Sequence, residues 1–420
     1  MADSLPASGV PARANGAALD PLREPLFRSL WFAAVISYTG TWMQNVGAGW
    51  LMTQLTMSPL MVGLVQAATA LPVFLVILPA GALADMVDRR RFLLITQAWM
   101  VAAAGLLGIL TLLGYTTPWV LLMFTFLLGF GAVMNDPAWQ ALTPEIVCRE
   151  NHAPAVALNS VGFNLARAVG PALGGLVIEA TNSGIAFLMN AASFFGVIFF
   201  LYRWKRRSFE RANTERMIDS LMAGLRYVRS DHVVHCVLIR TGSFSLAASS
   251  LLALLPIIAR PYGASGYGLL LGSLGLGALA GAAILPRLRA RLSVDGVVSG
   301  AVIVFALMTF AAGRVNAFNW LAVVLFLSGM AWIGILACLN VAAQTMSPPW
   351  MRARALSMYL LVLQGGMAIG SAAWGALATK FGIATTMLCS SLALILGLVT
   401  VRQYRLTSRE LELAPSVVRD

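Results

Sequence analysis

The chain has 420 residues, 59% of them hydrophobic and only 11% charged, with a mean hydropathy of +0.80. Water does not solvate such a composition, which excludes an ordinary soluble domain. The net charge of +12 would suit a nucleic-acid partner only if the cations clustered on a soluble face, and they do not.

At about 20 apolar residues per crossing, twelve transmembrane helices are expected, near residues 28–52, 59–82, 92–113, 118–136, 154–178, 183–202, 233–259, 266–286, 296–313, 318–342, 354–378 and 382–401. Residues 1–27 are mixed and Pro/Ala-rich and do not resemble a cleaved signal, so the first apolar run is expected to stay as the first span. Of the 29 Lys and Arg, 24 fall in the seven segments on one side of the spans; Arg260, Arg314 and Lys380 lie on the other side, and Arg167 and Arg240 fall inside windows. By the positive-inside rule both termini are expected in the cytoplasm, with anionic lipids rather than nucleic acid as partners of the basic excess.

In chain order, the first window carries Ser37, Thr41, Gln44 and Asn45 at helical intervals, a polar stripe that lipid would disfavour. Between the second and third windows, Gly81 to Arg91 reads Gly-Ala-Leu-Ala-Asp-Met-Val-Asp-Arg-Arg-Arg, a charged hairpin with Asp85 ending one helix and Arg89 to Arg91 opening the next. Charge-assisted bonds at such a helix-end interface can hold one conformational state. Trp119 and Trp320 open outward-side helices and suit interfacial anchoring. The fifth window repeats the polar pattern with Ser160, Asn164 and Arg167, followed by Gly170, Pro171, Gly174 and Gly175. Arg167 lies about 13 residues into that helix, or roughly 20 Å deep at 1.5 Å per residue. A central arginine costs at least about 2.5–3.5 kcal/mol without help, which makes it a functional candidate. Asp136 and Glu145 are read as lying at the cytoplasmic end and Glu179 at the outer end, so no carboxylate is expected at mid-membrane depth beside Arg167.

The linker, 203–232, is basic, and Met217, Leu221, Leu225 and Val228 take helical spacing, as expected of an amphipathic helix on the membrane surface. In the second half Ser245 joins Gly242 and Ser249 on one face of the seventh window, and Trp332, Asn340 and Gln364 are further polar or aromatic candidates. Gly281 to Arg291 echoes the Gly81 hairpin, and Trp119 with Trp320, Gln140 and Pro144 with Gln344 and Pro348, and Gly170 and Gly175 with Gly370 and Gly375 recur at a separation close to 200. Six crossings return a chain to its starting side, so this repeat implies two parallel six-helix halves, 28–202 and 233–401, enclosing a site between them. The terminal segments, 1–27 and 402–420, flank them.

With these residues in view, the chain resembles the major facilitator superfamily over residues 22–405. The hairpin matches the family pattern at Gly81, Leu83, Ala84, Asp85, Arg89 and Arg90 and departs at Met86 and Asp88. Gly170-Pro171-Ala-Leu-Gly174-Gly175 resembles the glycine-proline signature of the antiporter branch. Gly49-Trp50-Leu51 with Leu-Thr-Met-Ser-Pro at 55–59, Asp136-Pro137-Ala138 and Gly224-Leu-Arg-Tyr-Val-Arg229 resemble the enterobactin-exporter-like group of drug:proton antiporters. The resemblance implies an all-α integral membrane fold and a secondary transporter exporting a small amphipathic or anionic molecule by alternating access. It implies gating roles for Gly81, Asp85, Arg89, Arg90, Gly170, Pro171, Gly174 and Gly175. Thr41, Gln44, Asn45, Asn164, Arg167, Ser245, Asn340 and Gln364 are the candidate substrate-binding residues, with simple helix packing as the competing role.

Proton coupling is open: Asp136 and Glu145 are the candidates, near the inner gate. An uptake permease, a lipid translocator and a non-transporting membrane receptor or assembly factor are the rival functions. No enzyme is expected, since no Gly-Lys-Ser/Thr loop and no nucleophile-base set occurs. No cofactor is expected, and His232, His235 and Cys236 are too few and too weakly spaced for a metal site. The four cysteines have no paired spacing. A monomer in the cell inner membrane, binding a small-molecule substrate, protons and lipids, completes the expectation.

Overall fold

The computed structural model describes residues 18–204, 232–345 and 352–399, with the side chains of 78–86, 232–234 and 353 outside that description. The linker helix expected at Met217–Val228 and most of both terminal segments therefore lie outside the described residues, as do the Gly81 and Asp85 side chains. Among the described residues there are twelve α-helices: α1 (Pro25–Leu55), α2 (Pro59–Met86), α3 (Arg89–Leu112), α4 (Pro118–Ile146), α5 (His152–Ala180), α6 (Ser183–Arg203), α7 (His232–Ile258), α8 (Gly263–Arg289), α9 (Val294–Ala312), α10 (Phe318–Thr345), α11 (Arg352–Phe381) and α12 (Ile383–Gly397).

Local chemistry sets the ends. Proline stands at the first position of α1, α2 and α4, where its missing N–H has no partner to lose. Asp88, Thr117, Asn182 and Ser293 cap α3, α4, α6 and α9 by accepting from the N–H three residues on. Ten of the helices are long and apolar enough to cross a membrane; α1 is 31 residues long but diluted by its polar stripe, and α12 is described over 15.

Helix α4 corrects the sequence reading. It was expected to end at 136, ahead of Pro137, yet it runs on to Ile146 through Pro137 and Pro144. A proline removes one helical hydrogen bond, and inside a bundle neighbouring groups compensate. Arg89 Nη1 reaches the Ala141 carbonyl at 3.4 Å, next to the Gln140 carbonyl that Pro144 leaves without its helical donor.

The helices pack as two six-helix bundles with one pattern. Within the first, α1 packs on α5 and α6, α2 on α4, and α3 on α4 and α6; within the second, α7 packs on α11 and α12, α8 on α10, and α9 on α10 and α12. Each contact recurs six helices later, which is the physical content of the 200-residue repeat. The bundles meet where α2 lies along α11 and α5 along α8.

The repeated glycines explain both kinds of contact. A Cβ on Gly170 would stand 2.6 Å from Trp42 Cβ on α1, and one on Gly370 would stand 3.1 Å from the Leu246 carbonyl carbon on α7, so these glycines admit the neighbour within a bundle. A Cβ on Gly175 would stand 2.9 Å from Gly268 Cα on α8, and one on Gly375 would stand 3.0 Å from Leu60 Cα on α2, so these admit the opposite bundle.

Candidate functional site

The linker face is the side where α6 ends and α7 begins; the far face is opposite. Contacts between the bundles run from the far face to mid-membrane. On one side they extend from Leu60, whose N–H donates to Thr379 Oγ1 at 3.3 Å, to Phe74 against Gly365. On the other they extend from Glu179 against the start of α8 to Ala168 against Gly275. The Arg167 carbonyl, freed by Pro171, faces Gly275 in this seam, where a Cβ would stand 3.0 Å from it.

In the other half of the depth the first bundle carries open space. One chamber, of about 740 Å³, is lined by α1, α3, α4, α5 and α6, and a second of about 1070 Å³ lies between α1, α4 and the first turns of α5. Tyr38, Asp136, Trp139 and Phe163 line both, so the two form one cleft leading toward the linker face. Helical spacing builds its walls: Tyr38, Thr41, Trp42 and Asn45 on α1, Asp136, Trp139, Gln140 and Thr143 on α4, and Asn159, Ser160, Phe163 and Asn164 on α5. Phe163 meets Tyr38 and Trp42 edge-on, with centroids 5.4 and 6.4 Å apart.

Asp136 is the main surprise. It was expected at the cytoplasmic end, but because α4 continues to Ile146 it stands ten residues inside, about 15 Å from that end. Its side chain is exposed to the cleft and, among the described residues, forms neither hydrogen bond nor ion pair. Glu145 differs: its Oε1 accepts from Arg89 Nη1 at 2.6 Å, tying α4 to α3.

The other candidates separate into groups. Thr41 and Asn45 line the first chamber, the upper one here, and Asn164 the second, lower one, where its Nδ2 donates to Ser160 O at 2.8 Å. Gln44 turns away: it is buried and accepts from Asn190 Nδ2 on α6 at 3.2 Å, a helix-to-helix bond. Ser245 is fully buried between α7 and α11, where a Cβ on Gly366 would meet it. Asn340 accepts from Gln344 at 2.6 Å, and Gln364 is half-buried on α11; neither lines the cleft. The Arg167 guanidinium lies over the Trp42 ring, 5.9 Å from its centroid, and forms no hydrogen bond or ion pair among the described residues.

Of the expected gate residues, Arg90 staples α3 to the end of α6 through the Leu201 and Tyr202 carbonyls at 2.8 and 2.6 Å. Gly170 and Gly174 pack α5 on α1, Gly175 packs it on α8, and a Cβ on Gly174 would lie 2.8 Å from Met43 Cα.

Sequence reasoning placed Glu179 at the outer end and missed its partner. Its Oε2 accepts from the N–H groups of Ala264 and Ser265 at 2.8 and 3.3 Å, so a carboxylate on α5 caps the N-terminus of α8 across the bundle interface. Gly263, just before, has φ +74 and a Cβ there would stand 2.7 Å from Oε2, so only glycine fits. Glu179→Gln removes the charge at an exposed helix end, worth about 0.3–1 kcal/mol. Labelling of a reporter cysteine at the buried far-face position Ser371 should then rise severalfold; unchanged labelling would leave Glu179 as a capping residue with no gate role.

Two bundles meeting in the far half and a polar and aromatic cleft open to the other face define a major facilitator transporter, a membrane carrier and not an enzyme. Residues 16–418 match the model of the transmembrane secretion effector family, and the chain belongs to that family. It is 26% identical over 410 residues to the enterobactin exporter EntS of Escherichia coli O1:K1, covering 91% of this chain and 94% of that one. A second relative, the staphyloferrin A transporter of Staphylococcus aureus, is 26% identical over 164 residues, 39% of this chain and 41% of that protein. Among solved structures, the nucleoside transporter NupG superposes with a TM-score of 0.71 at 12% identity over 90% of this chain and 99% of its own. A bacterial homologue of the lysosomal transporter Spinster, inward-facing and occupied, gives 0.73 at 12% identity over 93% and 98%. At these identities the structures speak for the fold alone.

Proposed function

We propose that the protein is a secondary active exporter of a bacterial inner membrane, carrying a small amphipathic or anionic organic molecule from the cytoplasm to the far side by alternating access. The observation that carries this reading is the asymmetry of the bundle interface: sealed by glycine contacts on the far side, with the cleft open toward the linker face. The concentration of Lys and Arg on the linker face favours a cytoplasmic position for that face and for both termini. The arrangement is then the cytoplasm-open state, ready to load. Export, and a cargo of siderophore type, draw support from the names of the relatives, an enterobactin exporter and a staphyloferrin A transporter.

Within this reading Thr41, Asn45 and Asn164 contact cargo in the cleft. Arg167, lying over a ring that lines it, serves an anionic group in transit. Protons are the proposed coupling ion, with Asp136 better placed than Glu145, which Arg89 already holds. The Arg89–Glu145 and Arg90 contacts act as linker-side latches, and Gly170, Pro171, Gly174 and Gly175 form the surface on which α5 shifts. The protein works as a monomer, with membrane lipids around it.

Flux into proteoliposomes tests the function: enterobactin and ethidium, an amphipathic dye, are offered with and without a pH gradient. Accumulation of either above the external concentration, driven by the gradient, is expected; no uptake of both contradicts export, and uptake equal with and without the gradient contradicts proton coupling. Orientation is checked separately. Cysteine probes at Tyr115–Thr117 and Pro261–Ser265 should label from outside intact cells, and probes at 203–216 should not. Outside labelling of the linker would reverse the assigned direction.

A further inference from the structure

We propose that the upper chamber of the cleft is a binding subsite for an organic cation, with Asp136 as its counter-charge and the surrounding aromatic rings as its walls. The inference deepens the export reading and rests on it for what happens after binding, but the binding itself is separable from transport.

Three observations converge on this chamber. The first is the state of Asp136. Two acids nearer the linker face are engaged, Glu145 by Arg89 and Asp295 by Arg240, as expected where an unpaired charge is costly to keep out of water. Asp136 alone faces the chamber without hydrogen bond or ion pair among the described residues. A carboxylate in that position attracts a cation that can shed its water.

The second observation is the composition of the walls. Tyr38, Trp42, Trp139, Phe163 and Phe194 all line the chamber. Ring faces favour cations, with indole best, and hold the apolar body of an amphipathic molecule equally well.

The third is a pair of vacant hydrogen-bonding atoms. Trp139 Nε1 and Gln97 Oε1 belong to side chains 8% and 3% exposed, both line the chamber, and neither atom has a hydrogen-bond partner among the described residues. Gln97 is fixed by its other amide atom, which donates to Asn135 Oδ1 at 3.1 Å, so its free acceptor is held in place. A buried donor and acceptor left open in this way can be met by a ligand's own polar groups.

Arg167 does not cancel the charge. It stacks over Trp42 and does not itself line the chamber or pair with Asp136. An anionic ligand would therefore seek Arg167 and a cationic one Asp136, and the two choices separate by experiment.

The test uses two probes of one shape and opposite charge, tetraphenylphosphonium and tetraphenylborate, on the purified full-length protein by equilibrium dialysis. Dialysed separately, because the two ions pair and precipitate when mixed, the phosphonium is expected to bind saturably and more tightly than the borate. Asp136→Asn should weaken it about tenfold or more, the scale of one lost charge-assisted contact, with an unchanged melting temperature, and Asp136→Glu should restore part of the affinity. Unchanged phosphonium affinity in Asp136→Asn, or preference for borate that disappears in Arg167→Gln, overturns the proposal. Should Asp136→Asn fail to fold, the wild-type preference between the two ions decides the matter alone. Phosphonium binding with no flux of any probe in proteoliposomes would sink the transport reading and leave the subsite standing; flux of other molecules without phosphonium binding would do the reverse.

Discussion

Asp295→Asn should destabilise the protein by about 3–5 kcal/mol, because it strands a buried guanidinium. Arg240, 3% exposed in α7, forms an ion pair with Asp295 in the first turn of α9, where the helix N-terminus also favours a negative charge. Its Nη2 has no hydrogen-bond partner among the described residues, so the pair leaves little reserve once Asp295 loses its charge. Arg240→Met fills the space with apolar atoms and should be milder, and Arg240→Met with Asp295→Asn should recover much of the loss. Melting temperatures of the three variants in one detergent decide the point. Additive losses in the double variant would mean that the two residues contribute independently and the pair is incidental.

Gly175→Ala should act on the gate instead. The added methyl would stand 2.5 Å from the Ala264 carbonyl oxygen and 2.9 Å from Gly268 Cα, both backbone atoms of α8 that cannot swing aside as a side chain would. Overpacking of this kind costs about 1–3 kcal/mol, and here the cost falls on the far-side seam, which the proposed cycle opens as the cleft closes. The expected result is a shift toward the far-open state, read as labelling of a cysteine at Ser371 about 5- to 100-fold faster. Gly375→Ala should do the same through α2, where the methyl would stand 3.0 Å from Leu60 Cα and from the Pro59 carbonyl oxygen. A lower melting temperature with unchanged labelling would reduce both glycines to packing and remove them from the gate.

Much of this architecture was legible before any coordinate. Span count, parallel halves and the repeat followed from hydropathy and spacing, because membrane helices must satisfy their backbones internally and leave few other arrangements. What failed was local. The apolar window ended at 136, and that shortened helix placed Asp136 at the membrane end; the helix continues through Pro137 and Pro144 inside the bundle, and a one-dimensional reading does not contain those neighbours. Periodicity put Gln44 on the same stripe as Thr41 and Asn45, yet one position of helical rotation is enough to aim it at Asn190 and not at the cleft. The aromatic wall of Tyr38, Trp42, Trp139 and Phe163 was invisible for a different reason: rings are as common against lipid as in a cavity, and only the neighbouring helices distinguish the two. The capping role of Glu179 gave no signal, since it depends on α8 arriving from the other half of the sequence.

The central claim is that the two bundles rock about the cleft, closing one face as the other opens. Spin-label distances across α5 and α8 test it most directly, with one pair on the linker face at Glu150 and Arg291 and another on the far face at Thr181 and Pro261, all exposed positions. The account predicts opposite changes when Gly175→Ala is introduced or a transported molecule is added: the linker-face pair shortens while the far-face pair lengthens. Distances that move together, or a far-face pair that never lengthens, would contradict it.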